Sequence, residues 1–384
     1  MRGIYIHVPF CVRKCDYCDF YSVAADRAAM AGFRDLVVRE MDLFRREYPG
    51  EAAAPADTVF FGGGTPTALG AEGLLTLLAA VRERFALAEG AEATTEANPG
   101  AVSAADFKAL RAGGFNRISI GAQSFDPRTL KTLGRIHGVG EIHAAWRNAR
   151  AAGFPSIGLD LIFGVPGQTA ESFAADLEKT TSLMPSHVSA YALAPEPGTP
   201  LHAAIGRGEL RMPPDDDVAE MYGAARRTLA AAGLRQYEIS NFSRPGAECR
   251  HNLKYWRREG YDGFGPSAHG LLFPPGKAPL GLRTSNPPSL ADYARRVREG
   301  RLPWTETRLC RRADAWKESL IFGLREIGGV DTAAIEKKIG APPRLTRDAV
   351  EELVASGRLL RENSRLRLPE ALLFVSNEVL QRLA

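Results

Sequence analysis

Six short β-rich runs alternate with longer stretches of helical period over the first 235 or so residues, and this alternation constrains the fold more than any other feature. The runs fall at residues 3–8, 58–61, 93–97, 117–121, 158–163 and 187–193, each followed by a turn signal and a helical segment. Strand, helix and strand in regular succession predict parallel pairing with the helices as crossovers. The fold class expected is therefore α/β, a partial parallel (β/α)6 barrel. Two helix starts are legible from their caps: Ser103 before residues 104–110, with Gly113 and Gly114 closing the segment, and Thr169 before Ala170, Glu171, Ser172 and Phe173.

The pattern divides the chain into a barrel at 1–235, a connecting region at 236–305 and a C-terminal module at 306–384. Within the connecting region, 274–288 is rich in proline and reads as a long loop or linker. The last segment reads as two helices, at 332–339 and 345–353, followed by a hairpin at 357–368, an order that resembles a winged-helix module. Its charges are mixed and form no basic stripe, so a structural or partner-docking role is favoured over nucleic-acid binding.

With 384 residues, 45% hydrophobic and 24% charged, the chain has ample apolar surface for a core, which excludes global disorder. Lys and Arg number 49 against 45 Asp and Glu, with the signs interspersed, so charge alone indicates neither a nucleic-acid nor a membrane partner. The N-terminus runs from Met1 to Cys11 without an apolar signal region, and no later apolar run reaches membrane length. No transmembrane segment is expected, and a cytoplasmic location is.

Of five cysteines, three lie within eight residues as Cys11-x3-Cys15-x2-Cys18, directly after the first strand. A parallel barrel carries its functional face at the C-terminal ends of its strands, so location and spacing agree. Incidental core cysteines would not be expected to space themselves so. A structural zinc site needs four ligands, and no second Cys or His pair accompanies these. A [4Fe-4S] cluster fits better, because three thiolates hold three irons and leave the fourth open to another ligand.

Cys-x3-Cys-x2-Cys after a first strand resembles the radical S-adenosylmethionine (SAM) superfamily. The stretches from Ile4 to Cys11 and from Cys15 to Tyr21 are similar to one branch in particular, the oxygen-independent coproporphyrinogen III oxidases and the related HemW heme chaperones. The resemblance implies that the open iron chelates the amino and carboxylate groups of SAM. It also gives roles to the strand ends: a glycine turn at Gly62-Gly63-Gly64-Thr65, Glu96 after the third strand, Gln123 and then Arg135 after the fourth, Asp160 in the fifth and Ala194 after the sixth. By resemblance, Tyr5, Tyr17, Gly63, Gly64, Thr65, Glu96, Gln123, Arg135, Asp160 and Ala194 line the SAM site. Whether one or two SAM molecules bind is open. His7 and His137 either orient a ligand or fill the barrel mouth.

The oxidases of this branch carry a further cysteine two residues past the third, a position that is Phe20 here. That departure resembles the HemW side. Further on, His251-Asn252-x-x-Tyr255-Trp256 matches an HNxxYW motif associated with heme, and implies His251 as axial ligand with Asn252, Tyr255 and Trp256 around the porphyrin. Cys249 is a second candidate ligand. Two functions follow from the resemblance. One is a heme chaperone with a [4Fe-4S] cluster, SAM and heme as cofactors and an acceptor apo-hemoprotein as partner. The other is a radical SAM enzyme that abstracts hydrogen from a tetrapyrrole such as coproporphyrinogen.

Overall fold

The computed structural model describes residues 1–24 and 26–384. The six expected strands are all present: β1 (Arg2–Val8), β2 (Ala56–Gly63), β3 (Leu87–Ala97), β4 (Arg117–Gln123), β5 (Ser156–Phe163) and β6 (His187–Ala192). They pair in sequence order and in parallel. Helices α1 (Arg27–Glu47), α2 (Gly70–Arg84), α3 (Ala104–Ala112), α4 (Val139–Ala151) and α5 (Ala170–Ser182) supply the crossovers. Ser103 caps α3 by accepting from the Asp106 amide at 3.1 Å, and Thr169 caps α5 by accepting from Ser172 at 3.2 Å.

Each strand alternates with period two. Ile4, Ile6, Val59, Phe61, Ile118, Ile120, Leu159, Leu161 and Val188 point outward and are buried against the helices in one continuous core. On α1, Phe33, Val37, Met41 and Phe44 recur at helical spacing and meet that core. The residues between the outward ones, among them Tyr5, Phe60, Arg117, Ser119, Asp160, His187 and Ser189, face a central cavity. Packed β/α barrels fill this interior with branched aliphatic side chains. Here polar and aromatic residues take those places and leave a cavity.

The sheet does not stop at six strands. Strand β7 (Asn241–Ser243) pairs antiparallel with β6. On the other side β8 (Tyr261–Phe264) pairs parallel with β1, and β9 (His269–Leu272), β10 (Leu282–Ser285) and β11 (Glu306–Leu309) continue it antiparallel. Both outer edges of the six-stranded unit are thus occupied, which keeps the barrel partial. The region expected to be a connector is an extension of the same sheet. Within the proline-rich stretch read as a loop, Leu282 and Thr284 alternate inward as β10, and the prolines at 287 and 288 follow only after that strand has ended.

After β7, α6 (Arg250–Trp256) carries the HNxxYW segment. The C-terminal module contains α7 (Arg312–Gly323), α8 (Thr332–Ile339) and α9 (Arg344–Ala355), with a small antiparallel sheet of Val330–Asp331, Arg365–Arg367 and Leu360–Glu362. This is the helix, helix and hairpin order the sequence indicated. Among the described residues no helix is long and apolar enough to cross a membrane.

Candidate functional site

The strand ends open into one cavity of about 610 Å³. Cys11, Cys15 and Cys18 line it, as do all ten residues assigned to SAM by resemblance, from Tyr5 through Ala194. The glycine turn positions the cysteine loop. Gly63 has φ +111°, and a Cβ there would lie 2.7 Å from the His7 ring; a Cβ on Gly64 would lie 2.8 Å from the Phe10 carbonyl. The amides of this turn are largely spent on the protein itself. Gly64 N–H donates to the Val8 carbonyl at 2.8 Å and Thr65 N–H to the Phe10 carbonyl at 2.7 Å. The turn therefore pins the loop to β1 instead of offering a row of free amides to a ligand.

Two polar side chains reach the cysteine sulfurs. Arg135 donates to Cys15 Sγ at 3.2 Å, and Thr65 Oγ1 lies 3.5 Å from Cys11 Sγ. Asn98, which the sequence reading left without a role, links them: its Nδ2 donates to Thr65 at 2.8 Å and its Oδ1 accepts from Arg135 at 2.6 Å. Burial, with Cys15 and Cys11 nearby, pushes the Cys18 thiol up. Among the described residues no three His, Cys, Asp or Glu side chains converge tightly enough to hold a single metal ion. A four-iron cluster asks for a looser set, since each thiolate binds a different iron. Three thiols on one cavity, two of them already met by polar side chains, suit that group.

Glu96 and Asp160 face the cavity together. Burial, followed by the Asp160 charge, pushes the Glu96 carboxyl up to about 8. Burial also raises Asp160, opposed by hydrogen bonds from Ser189 and Ser119, the latter at 3.0 Å. Two acids on one cavity wall, pushed up by burial despite the Arg117 and Arg135 charges, suit a ligand carrying positive charge, and SAM carries a sulfonium and an ammonium. Gln123 holds φ +64° where β4 breaks register, a strained backbone position on the cavity wall.

The two uncertain histidines are support residues. His7 bonds Tyr5 at 3.1 Å and the Tyr21 carbonyl at 3.0 Å. His137, lowered to about 4 by burial and the Arg135 charge, lies 3.3 Å from the Ala122 carbonyl.

The HNxxYW segment divides. Asn252 and Tyr255 line the cavity. His251 does not: it is fully buried, with Nδ1 2.7 Å from Thr58 Oγ1 and Nε2 2.8 Å from Tyr255 Oη. Burial and then Lys254 lower its pKa to about 3, so the ring is neutral and both nitrogens are engaged. An axial role for His251 on heme iron would require one of these two hydrogen bonds to be given up. Trp256 faces the other way, along a groove shared with Val330, Ala334 and Ile339 of the C-terminal module. Cys249 lines the cavity, its thiol pushed up to about 12 by burial.

Arg117, Ser119, His187 and Ser189 were also missed. Their signal was present in Arg117-Ile-Ser-Ile-Gly-Ala-Gln123 and His187-Val-Ser-Ala-Tyr191, where polar residues recur every second position on strands expected to be buried on both faces.

A partial parallel β/α barrel that brings three cysteines and an acidic pair to one cavity at its strand ends defines a radical SAM protein. The Radical SAM superfamily pattern matches residues 5–180, and the HemN C-terminal domain matches 311–374. The Heme chaperone HemW of Bacillus subtilis is 33% identical over 383 residues, covering 99% of this chain and 98% of the relative. That of Mycobacterium tuberculosis is 43% identical over 280 residues, covering 70% and 69%. The chain belongs to the HemW family. The fold is shared with coproporphyrinogen III oxidase (HemN) from Escherichia coli, at TM-score 0.82 and 23% identity over 100% of this chain and 90% of that one. Membership of the superfamily implies a [4Fe-4S] cluster and SAM.

Proposed function

We propose that this protein is a heme chaperone: it carries a [4Fe-4S] cluster on Cys11, Cys15 and Cys18, binds SAM and heme, and passes heme to an apo-hemoprotein. The observation that carries this reading is Phe20, 62% exposed on the cavity where the oxidases have a further cysteine. Kinship over nearly the whole chain with relatives named as heme chaperones supports it.

When bound, the cluster supplies an open iron for the amino and carboxylate groups of SAM and, when reduced, an electron. Arg135 and Thr65 hold the thiolates through hydrogen bonds. Glu96 and Asp160 supply negative charge against the cationic ligand, and Gln123, Tyr17 and Ala194 bound its space. Asn252 and Tyr255 present the HNxxYW segment to the cavity, with His251 as the buried brace that fixes the Tyr255 hydroxyl.

The test is anaerobic reconstitution followed by a hemin titration read in the visible spectrum, with a parallel assay for coproporphyrinogen consumption in SAM and reductant. One heme per chain without turnover is the expected result. SAM-dependent formation of protoporphyrinogen would overturn the reading and make the chain an oxidase. Cys15→Ala is expected to lose cluster iron and sulfide; full retention of both would remove Cys15 from the ligand set.

A further inference from the structure

The cavity continues past Glu96 and Asp160 to the opposite end of the barrel. There it is lined by Arg117, the first residue of β4, by His187, the first of β6, and by Cys249 and Asn252. Arg117 is 3% exposed and His187 1%. A guanidinium does not shed its charge, so its burial is unfavourable unless anions meet it.

Three carboxylates, Glu92, Asp160 and Glu96, act on Arg117 by charge without a hydrogen bond to it, and the first two are committed to other donors. Glu92 accepts from the amides of Arg250 and His251, each at 3.1 Å, and from the Cys249 thiol. Asp160 accepts from Ser119. Arg117 Nε has no hydrogen-bonding partner among the described residues, and neither has His187 Nδ1. Burial and the Arg117 charge drive the His187 pKa well down, so its ring is a neutral donor or acceptor beside the cation. A planar fork of donors with an unpartnered nitrogen, on a cavity already holding two acids further up, matches a two-oxygen anion.

We propose that this floor is a carboxylate-binding subsite anchored by Arg117 and flanked by His187 and Asn252. It rests on the heme reading above for the occupant, a propionate of the tetrapyrrole; the other source of the same chemistry is the carboxylate of a second SAM, beyond the one met by the open iron. Tyr5 and Phe60, stacked at 6.2 Å between centroids on the same cavity, give an apolar wall next to the charged floor.

The test compares each ligand with its carboxylate-free counterpart in cluster-loaded protein. Heme and heme dimethyl ester are titrated by absorbance, and SAM and decarboxylated SAM by equilibrium dialysis, in wild type and Arg117→Met. Esterification is expected to weaken heme binding about tenfold or more in wild type, and much less in the variant. The SAM ratio is expected to be the same in both proteins. A SAM ratio that collapses in the variant while the heme ratio stands would keep the subsite and assign it to the SAM carboxylate. If Arg117→Met does not fold, Arg117→Lys keeps the buried charge but loses the fork, and the heme ratio should still shrink. Both ratios unchanged in the folded variant would overturn the subsite. Absence of heme binding by wild type would instead sink the chaperone reading, and the SAM ratio would then decide the subsite alone.

Discussion

Glu96 sits beside Asp160, and burial followed by that charge holds its carboxyl near 8 against an ordinary 4.5. The shift is upward, so the folded state keeps a proton that the unfolded chain has released, and Glu96 subtracts stability as pH rises from 4.5 to 8. A cation bound against the pair favours the ionised form, so SAM binding expels the proton. SAM affinity is therefore expected to rise by up to about tenfold per pH unit below pH 8, then level, in calorimetric titrations. Glu96→Gln should flatten the profile, and a flat wild-type profile would remove Glu96 from contact with SAM. His251 makes a contrasting case. Its replacement by Ala leaves a cavity and strips partners from Thr58 and Tyr255, at a cost of about 3 kcal/mol. The urea midpoint should fall while the folded protein keeps its heme affinity. Lost heme binding at unchanged stability would restore the imidazole as an iron ligand.

Helix α1 is joined to the sheet extension by one buried carboxylate. Glu40 accepts from Gly265 N–H at 2.8 Å, Asn286 Nδ2 at 2.7 Å and Tyr293 Oη at 2.7 Å. Burial raises it to about 7, and the three donors limit the rise. Stability from this group therefore declines as pH climbs from 4.5 to 7. Glu40→Ala leaves three donors unpaired, with an expected loss of about 2–4 kcal/mol in denaturant unfolding. The variant should also lack this part of the wild-type pH dependence; equal midpoints for both proteins at pH 5 would show that the junction carries no stability. The α6 segment illustrates another element-scale effect. Residues adjacent in the sequence part company there, because a helix turns about 100° per residue and sends neighbours to different faces. Asn252 and Tyr255, three apart, share the cavity face, while His251 goes under the sheet and Trp256 toward the C-terminal module.

At the scale of the whole molecule, the C-terminal module is fastened to the barrel by several contacts. Arg257 on the residue after α6 pairs with Glu326 at 2.9 Å, and Glu318 accepts from Arg258, Arg283 and Arg308 at 2.8, 2.9 and 3.3 Å. The backbone joins too, with Ile239 N–H donating to Arg325 and Ile327 N–H to Tyr237, both at 3.1 Å. Deleting residues 311–384 would bare the Trp256 groove and the core side chains Trp316 and Leu320 face, so light scattering of the truncated chain should report aggregation. A monodisperse, fully folded truncation would make the module an independent domain.

The six strands, their order, the caps of α3 and α5 and the cysteine loop were legible because each rests on local chemistry: period-two or helical spacing, a capping hydroxyl, three thiols at fixed intervals. The ten cavity residues could be named from resemblance, most of them because a parallel barrel delivers its strand ends to one face. Three outcomes were not local. The extension strand β8 joins β1 across more than 250 residues of chain. His251 is withdrawn by partners that arrive from β2 and α6. Arg117 is left facing the cavity because the acids around it are taken by the α6 amides, the Cys249 thiol and Ser119. Sequence spacing determined which groups could meet at the barrel mouth. Only the tertiary structure decided which of them were already satisfied, because a buried polar group is free for a ligand only when no other part of the chain has taken it.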